Sequence, residues 1–463
     1  MGSRTADLVV GAEPGPQGSI HPAPAGARKL REDAEFRRYW CARTLSTAGS
    51  TISLVALPVL VYKMTGSTLI TAFISASEAA PYMLLGLVAG ALSDRWDRQR
   101  VMVRADLINA VLIVTVPLAY WLGFLTVPQV FAVAFLGQSV SVFFDGANFG
   151  AVPSLVGRER VGQANAALWG SSTTAQTLIP SVVGVCLAVI SPASLLVVTA
   201  LTFAISAFLV RSLSRPLHDR GREPSPLGRA ALAREIAEGL RFLRDYADVR
   251  TLTIISGLVC MTSGGFISLM VIWCDQVLGV GTAGWRFGLV YSAWGVGGLA
   301  AAISVSRLLR RASAARISLR ALPFCAVLGI TTSFVRWWPL AVIGLFTWGL
   351  AYGLVVINIV SHRQQVTPEP LLGRVNTSSR MIAWGIGYTG GAMASGGLSQ
   401  LIGLHGAMTT ITLVSVIAVV MGWRSPLRAT GQARQSAASG PSEQTKRPRP
   451  ARARVRADSW LPR

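Results

Sequence analysis

The sequence predicts an all-α membrane protein of twelve transmembrane helices, arranged as two six-helix bundles that repeat one another. Three observations carry this. Of 463 residues, 51% are hydrophobic and only 14% charged, where an ordinary soluble domain has about 25% charged residues. Apolar runs long enough to cross a bilayer, about 20 residues each, recur along the chain. The basic residues are crowded into alternate loops.

The apolar runs cover 39–62, 69–92, 101–124, 127–149, 163–190, 193–213, 251–277, 285–306, 315–335, 338–361, 372–402 and 405–424. Of the 43 Lys and Arg, six precede Arg43, ten lie from Arg424 onward, and 22 fall in or beside the loops joining helices 2–3, 4–5, 6–7, 8–9 and 10–11; the other set of loops holds Lys63, Arg286 and Arg336. By the positive-inside rule both termini are cytoplasmic, and the protein is expected in the cell membrane as a multi-pass chain. A net charge of +22 is then topology plus attraction to the anionic lipid bilayer, and no nucleic-acid partner is expected.

The arm 1–35, rich in Pro and Gly, has no signal-peptide core and reads as a disordered cytoplasmic segment; the basic tail 425–463 reads likewise. Cys41, Cys186, Cys260, Cys274 and Cys325 form no close pair and read as small apolar residues, with no metal site and no cofactor expected. A repeat at an offset of 211–213 sets "VYKMTG" on "CDQVLG", Gly66 on Gly279, and Asn165 on Asn376. It divides the chain into a bundle at 36–213, a linker at 214–250 and a bundle at 251–424. In the linker, Leu232, Ile236, Leu240 and Leu243 stand at helical spacing, which predicts an amphipathic helix on the cytoplasmic face.

Between helices 2 and 3, "GALSDRWDRQR" puts five charged residues behind an uncharged apolar run. Charges at a membrane face must be paired when that face is shut, so such a hinge can make and break pairs as it opens. Asp94 suits the positive start of a helix in the other half, where Asn376 marks helix 11, and Arg98 is expected to meet Asp145 near the end of helix 4. The competing reading is a turn that only orients insertion. Gly90, Leu92, Asp94, Arg95 and Arg98 resemble the signature loop of the major facilitator superfamily, with Asp97 where the general motif has Gly. "DRWDRQRVM", "FFDGAN", "VTPEPLLGRVN" and "SEAAPYMLLGLVAGALSDRWDR" resemble its enterobactin-exporter-like, or transmembrane secretion effector, branch. The resemblance implies the major facilitator fold and a hinge loop that holds the cytoplasmic side closed, with Gly90, Asp94, Arg95, Arg98, Asp145 and Asn376 as its gating set.

Inside the spans, polar residues fall in helical stripes: Gln138, Ser141, Asp145 and Asn148 in helix 4; Asn165, Trp169, Thr173, Gln176 and Pro180 in helix 5; Asn376, Arg380, Trp384 and Tyr388 in helix 11. They read as cavity wall or as polar glue between helices. Tyr82, Gln138, Trp169, Thr173, Gln176, Tyr291, Trp294, Tyr352, Arg380 and Trp384 are the candidate substrate contacts. Glu78, Asp106 and Asp145 are the candidate proton carriers. Glu78 is the deepest, some nine residues into helix 2, and must be protonated, wetted or paired with Arg43 or Arg380. Helix 5 keeps only "TLIPSVVG" of the antiporter motif, and no G-x-x-x-x-G-K-[ST] phosphate loop is present. The expected function is secondary transport by alternating access, as a proton-coupled exporter of small amphipathic compounds. A solute importer and a transport-inactive scaffold are the alternatives. A monomer without enzymatic activity is expected.

Overall fold

The computed structural model describes residues 30–93, 96–215, 217, 237, 241–367 and 372–425, which form helices and no strand. Asp33 accepts from the backbone N–H groups of Glu35 and Phe36 and so starts α1 (Ala34–Thr65). Gly66 ends it at φ 64°, a left-handed cap that glycine reaches without strain. The first half continues with α2 (Thr68–Ser93), α3 (Arg98–Trp121), α4 (Val127–Val156), α5 (Val161–Cys186) and α6 (Pro192–Arg211). Asp97 caps α3 by accepting from the backbone N–H of Arg100 at 3.1 Å. That gives a physical reason for an acid where the general motif has glycine.

The second half opens with α7 (Ala247–Ser268), extended through Met270–Ile272 into a π-helical turn, Trp273–Val277. Gly279 ends this unit at φ 63°, the same conformation as its repeat mate Gly66. Next come α8 (Trp285–Leu309), α9 (Ala314–Ser333) and α10 (Trp338–Val366). The last described stretch runs through Leu372–Arg380, a second π-helical segment Met381–Tyr388, and Thr389–Arg424. Gly403, at φ 73° and ψ 173°, breaks it. The break falls where the sequence separates helices 11 and 12, so α11 is taken as 372–402 and α12 as 404–424.

Ten described segments are long and apolar enough to cross a membrane, and 375–424 counts among them as a single 50-residue span. Twelve crossings follow when Gly403 divides that span and α5 is added; the polar stripe of α5 lowers its hydropathy but not its length, 26 residues. The linker helix proposed around Leu232, Ile236 and Leu240 lies outside the described residues. Its end, 241–245, is helical, and Phe242 and Leu243 are buried with Val249 and Val375. The arm and tail likewise lie outside, apart from the described residues at their inner ends.

Within the halves, α1 packs on α5 and α6, α3 on α4 and α6, α7 on the 389–424 stretch, and α10 on α8 and α9. α1 and α7 hold equivalent places in the repeat and are the most enclosed spans, with 72% of their most apolar stretches buried against 39% in α3, α8 and α10. That is the signature of central helices. In the second half the core is aromatic: Phe266 stands edge-on to both Trp273 and Trp348, and Trp348 edge-on to Trp294 at 4.5 Å between ring centroids. Cys260, Cys274 and Cys325 are buried as apolar residues, whereas Cys41 is exposed.

Because consecutive helices alternate in direction, the ends of α2 and α4 and the starts of α3, α5 and α11 share one face. We call it the hinge face. Across the molecule the halves meet along two seams, α2 against α11 and α5 against α8.

Candidate functional site

Asp145 stands on α4, eleven residues from the helix end at Val156 and about 16 Å inside the hinge face at 1.5 Å per residue. Its Oδ1 accepts from Arg43 Nη2 at 2.8 Å, from α1 of the same half. Its Oδ2 accepts from the Tyr82 hydroxyl at 2.7 Å and from Arg380 Nη2 of α11 at 3.3 Å. The Arg380 guanidinium also lies over the Tyr82 ring, 4.8 Å from its centroid, and donates to the Tyr82 hydroxyl at 3.3 Å. One carboxylate thus serves two guanidiniums from opposite halves. Arg43 is steadied further by the Phe144 ring, 5.0 Å away.

This arrangement departs from the expected Arg98–Asp145 pair. Arg98 Nη1 donates instead to the backbone carbonyl of Gly150 at 2.8 Å, with longer bonds to Ser154 and the carbonyl of Leu217. Depth explains the difference: Asp145 and Gly150 are five residues apart on α4, so the guanidinium at the start of α3 meets the later turn. Gly150 must be glycine for this approach, because a Cβ there would overlap the Arg98 guanidinium. Of the remaining hinge set, Gly90 lies in the last turn of α2, while Asp94 and Arg95 lie outside the described residues. Asn376 accepts from Arg363 at 3.3 and 3.4 Å, and Arg363 is buried.

Glu78 lies one turn from Tyr82 on α2, on the same side of the helix. Its Oε2 is buried and has no hydrogen-bond partner among the described residues. The option of an ion pair with Arg43 or Arg380 is not taken, since Asp145 holds both. Asp106 is in a different place from the hinge: it is buried among α1, α3 and α6, accepting from Ser46 at 3.2 Å and Ser206 at 2.6 Å.

The candidate substrate contacts fall into three groups. Tyr82, Arg380 and Trp384 share the α2–α11 seam; Trp384 is 45% exposed and stacks on Tyr388 at 5.5 Å. Trp169 and Gln176 are exposed on α5, with Thr173 and the α4 residue Gln138 half-buried. Tyr291, Trp294 and Tyr352 pack against the aromatic core of the second half, with Trp294 5.0 Å from Tyr352 between ring centroids. The π-helical segment Met381–Tyr388 widens the turn that carries Trp384 and Tyr388, a backbone form that recurs at functional sites.

Away from the hinge face the seams close, among the described residues, without a pair of side chains of opposite charge. The backbone N–H of Gly284 donates to the carbonyl of Gly184 at 2.6 Å, and Ser181 donates to Ser292 at 2.7 Å. A Cβ on Gly184 would come 2.5 Å from the Gly288 backbone, and one on Gly385 would come 2.6 Å from that of Met83. Gly184 is the glycine left from the reduced antiporter motif, and here it is the contact point of α5 with α8. At the same face the Tyr62 hydroxyl donates to Asp275 at 2.9 Å and accepts from Gln276 at 3.2 Å. Neither Tyr62 nor Asp275 was a sequence candidate. A signal existed: they occupy the same position of the repeat, and equivalent residues beside a pseudo-two-fold axis meet each other.

A profile of the family described as "Transmembrane secretion effector" matches residues 28–452. The multidrug efflux pump Tap of Mycolicibacterium fortuitum is 26% identical over 386 residues, covering 81% of this chain and 92% of that protein. The enterobactin exporter EntS of Citrobacter koseri is 26% identical over 396 residues, covering 84% and 89%. Among solved structures, a bacterial homolog of the human lysosomal transporter Spinster, inward-facing and unoccupied, superimposes with a TM-score of 0.70 at 14% identity, over 88% of this chain and 99% of that one. With a profile match that spans both halves, this chain belongs to the transmembrane secretion effector family of the major facilitator superfamily.

Proposed function

We propose that this protein is a secondary transporter of the cell membrane, with its termini and hinge face in the cytoplasm, that exports small amphipathic compounds by alternating access in exchange for protons. The observation that carries this reading is Asp145, whose carboxylate ties α4 and α1 of one half to Arg380 of the other. A partly hydrated ion bridge between two rigid bundles can be exchanged at modest free-energy cost, which is what a gate requires. The efflux pump and siderophore exporter among its relatives support the outward direction and the amphipathic substrate.

Glu78 is the proposed proton carrier. Among the described residues it has no cationic partner, whereas Asp145 is committed to two guanidiniums and Asp106 to two serine hydroxyls. A carboxylate that alternates between a wet and a dry surrounding takes up and releases a proton as the halves rock. The transport unit is the monomer, since substrate path, gate and carrier all lie between the halves of one chain.

The test is efflux and uptake of a compound panel in membrane vesicles under an imposed pH gradient. Wild-type protein should move compounds outward against their gradient only while the proton gradient lasts. Glu78→Gln should lose that accumulation and keep substrate exchange. Proton-driven accumulation at wild-type rate in a folded Glu78→Gln protein would remove Glu78 as the carrier.

A further inference from the structure

We infer that Arg380 is a receptor for the anionic group of the transported compound, and that the compound is an aromatic carboxylate or a similar planar anion which displaces Asp145 from Arg380 when it binds. This rests on the transporter reading above and deepens it by naming a substrate class.

The charge count at the cluster comes first. Arg43 and Arg380 together share one carboxylate, and they share it unequally: 2.8 Å from Arg43, 3.3 Å from Arg380. Arg43 is the firm partner, with its side chain 20% exposed, and Arg380 the loose one, 41% exposed. A guanidinium carries five N–H donors in a rigid fork. Both hydrogen bonds made by Arg380 leave from Nη2, so among the described residues Nε and Nη1 donate to nothing. A half-buried guanidinium with most of its fork unused binds a planar anion two bonds at a time, which a lysine in its place could not do.

The surroundings specify the rest of the ligand. Trp384 follows Arg380 by about one turn of the π-helical segment and is itself 45% exposed, with Tyr388 stacked behind it at 10° between ring planes. An indole braced in this way offers a flat apolar face beside a cation. On α2 the next acid beyond Tyr82 is Glu78, four residues away, which disfavours a ligand with a second anionic group at its far end.

The two roles of Arg380 couple binding to gating. A carboxylate that takes Arg380 removes the ion bridge from Asp145 to the other half while leaving Arg43 on Asp145, so occupancy itself loosens the cross-seam bond. Asp145 and the ligand then compete for one guanidinium, and by linkage, weakening one strengthens the other.

That competition gives a test by gain as well as by loss. Binding of 2-naphthoate and its neutral amide, 2-naphthamide, is measured by equilibrium dialysis on purified full-length protein. Detergent solution removes any dependence on direction or proton coupling, so this experiment and the vesicle assay can fail separately. Wild-type protein should prefer naphthoate by about tenfold, the worth of one charge-assisted hydrogen-bonded contact. Arg380→Gln should bring the two affinities together. Asp145→Asn, with the competitor's charge removed, should bind naphthoate several-fold more tightly than wild type and widen the preference for naphthoate over naphthamide by the same factor. Equal affinities in wild type, no saturable naphthoate binding, or a folded Asp145→Asn protein that gains nothing would each overturn the assignment. If Asp145→Asn does not fold, the Arg380→Gln comparison decides alone.

Discussion

Where α2 meets α11, the halves are joined by charge beside the close approach of Gly385 to Met83; where α5 meets α8 toward the opposite face, they are joined without charge, by close backbone contact and the Ser181–Ser292 hydrogen bond. In the first place Asp145, Arg380 and Tyr82 keep partial exposure and bonds of 2.7–3.3 Å. In the second, Gly184 and Gly288 leave no room for a methyl group. A charged bridge in reach of water can be traded for other hydrogen bonds at modest cost, as the proposed gate requires. Backbone against backbone has no substitute partner, and it stays shut until the whole helix moves. On the proposed reading the charged bridge is the responsive contact and the glycine contacts are the stiff ones.

The contrast predicts a graded series of effects. Gly184→Val should be the most damaging, because a branched side chain must displace the Gly288 backbone and overpacking of this kind costs about 3 kcal/mol. A marked drop in thermal unfolding temperature checks it, together with a greater distance between spin labels on α5 and α8 toward the opposite face. Asp145→Asn strands Arg43 and Arg380 and should cost about 2 kcal/mol. That is less than a fully buried pair because the three side chains keep 18–41% exposure. Spin-label distances between α2 and α11 should broaden at the hinge face while the α5–α8 distance stays constant. Movement in both seams at once would show that they are not separable.

Tyr62→Phe removes the hydrogen bond to Asp275 and the one from Gln276 and should cost about 1 kcal/mol, enough for a several-fold rise in cysteine labelling at positions 66 and 279. Unchanged labelling would mean the glycine contacts alone hold that face. The smallest effect is Asp97→Ala, the loss of the α3 cap, at about 0.5–1 kcal/mol of stability with transport kept. A transport defect larger than the stability loss would give Asp97 a role in the hinge beyond capping.

Much of this architecture was readable before any coordinates. Apolar runs located the spans, since hydrocarbon thickness sets helix length. The repeat paired Gly66 with Gly279, and both take the same left-handed cap, at φ 64° and 63°. Helical spacing set Asp145 and Arg380, which the fold brings together, on the polar stripes of α4 and α11, because a 3.6-residue period is a local property. The partners were harder to read. Arg98 reaches Gly150 and not Asp145, while Arg43, noticed only as a possible partner for Glu78, holds Asp145 at 2.8 Å.

The sequence by itself determined which residues lie in the membrane, in what order and on which helix face, because transfer free energy and helix geometry act on each segment alone. Only the tertiary structure decided that Arg43 and Arg380 converge on Asp145 and leave Glu78 without a cationic partner among the described residues, and that Gly184 is a meeting point of two backbones. Those outcomes depend on how deep each side chain sits relative to helices hundreds of residues away. Relative depth is set by the packing of whole bundles against each other, which no local pattern encodes.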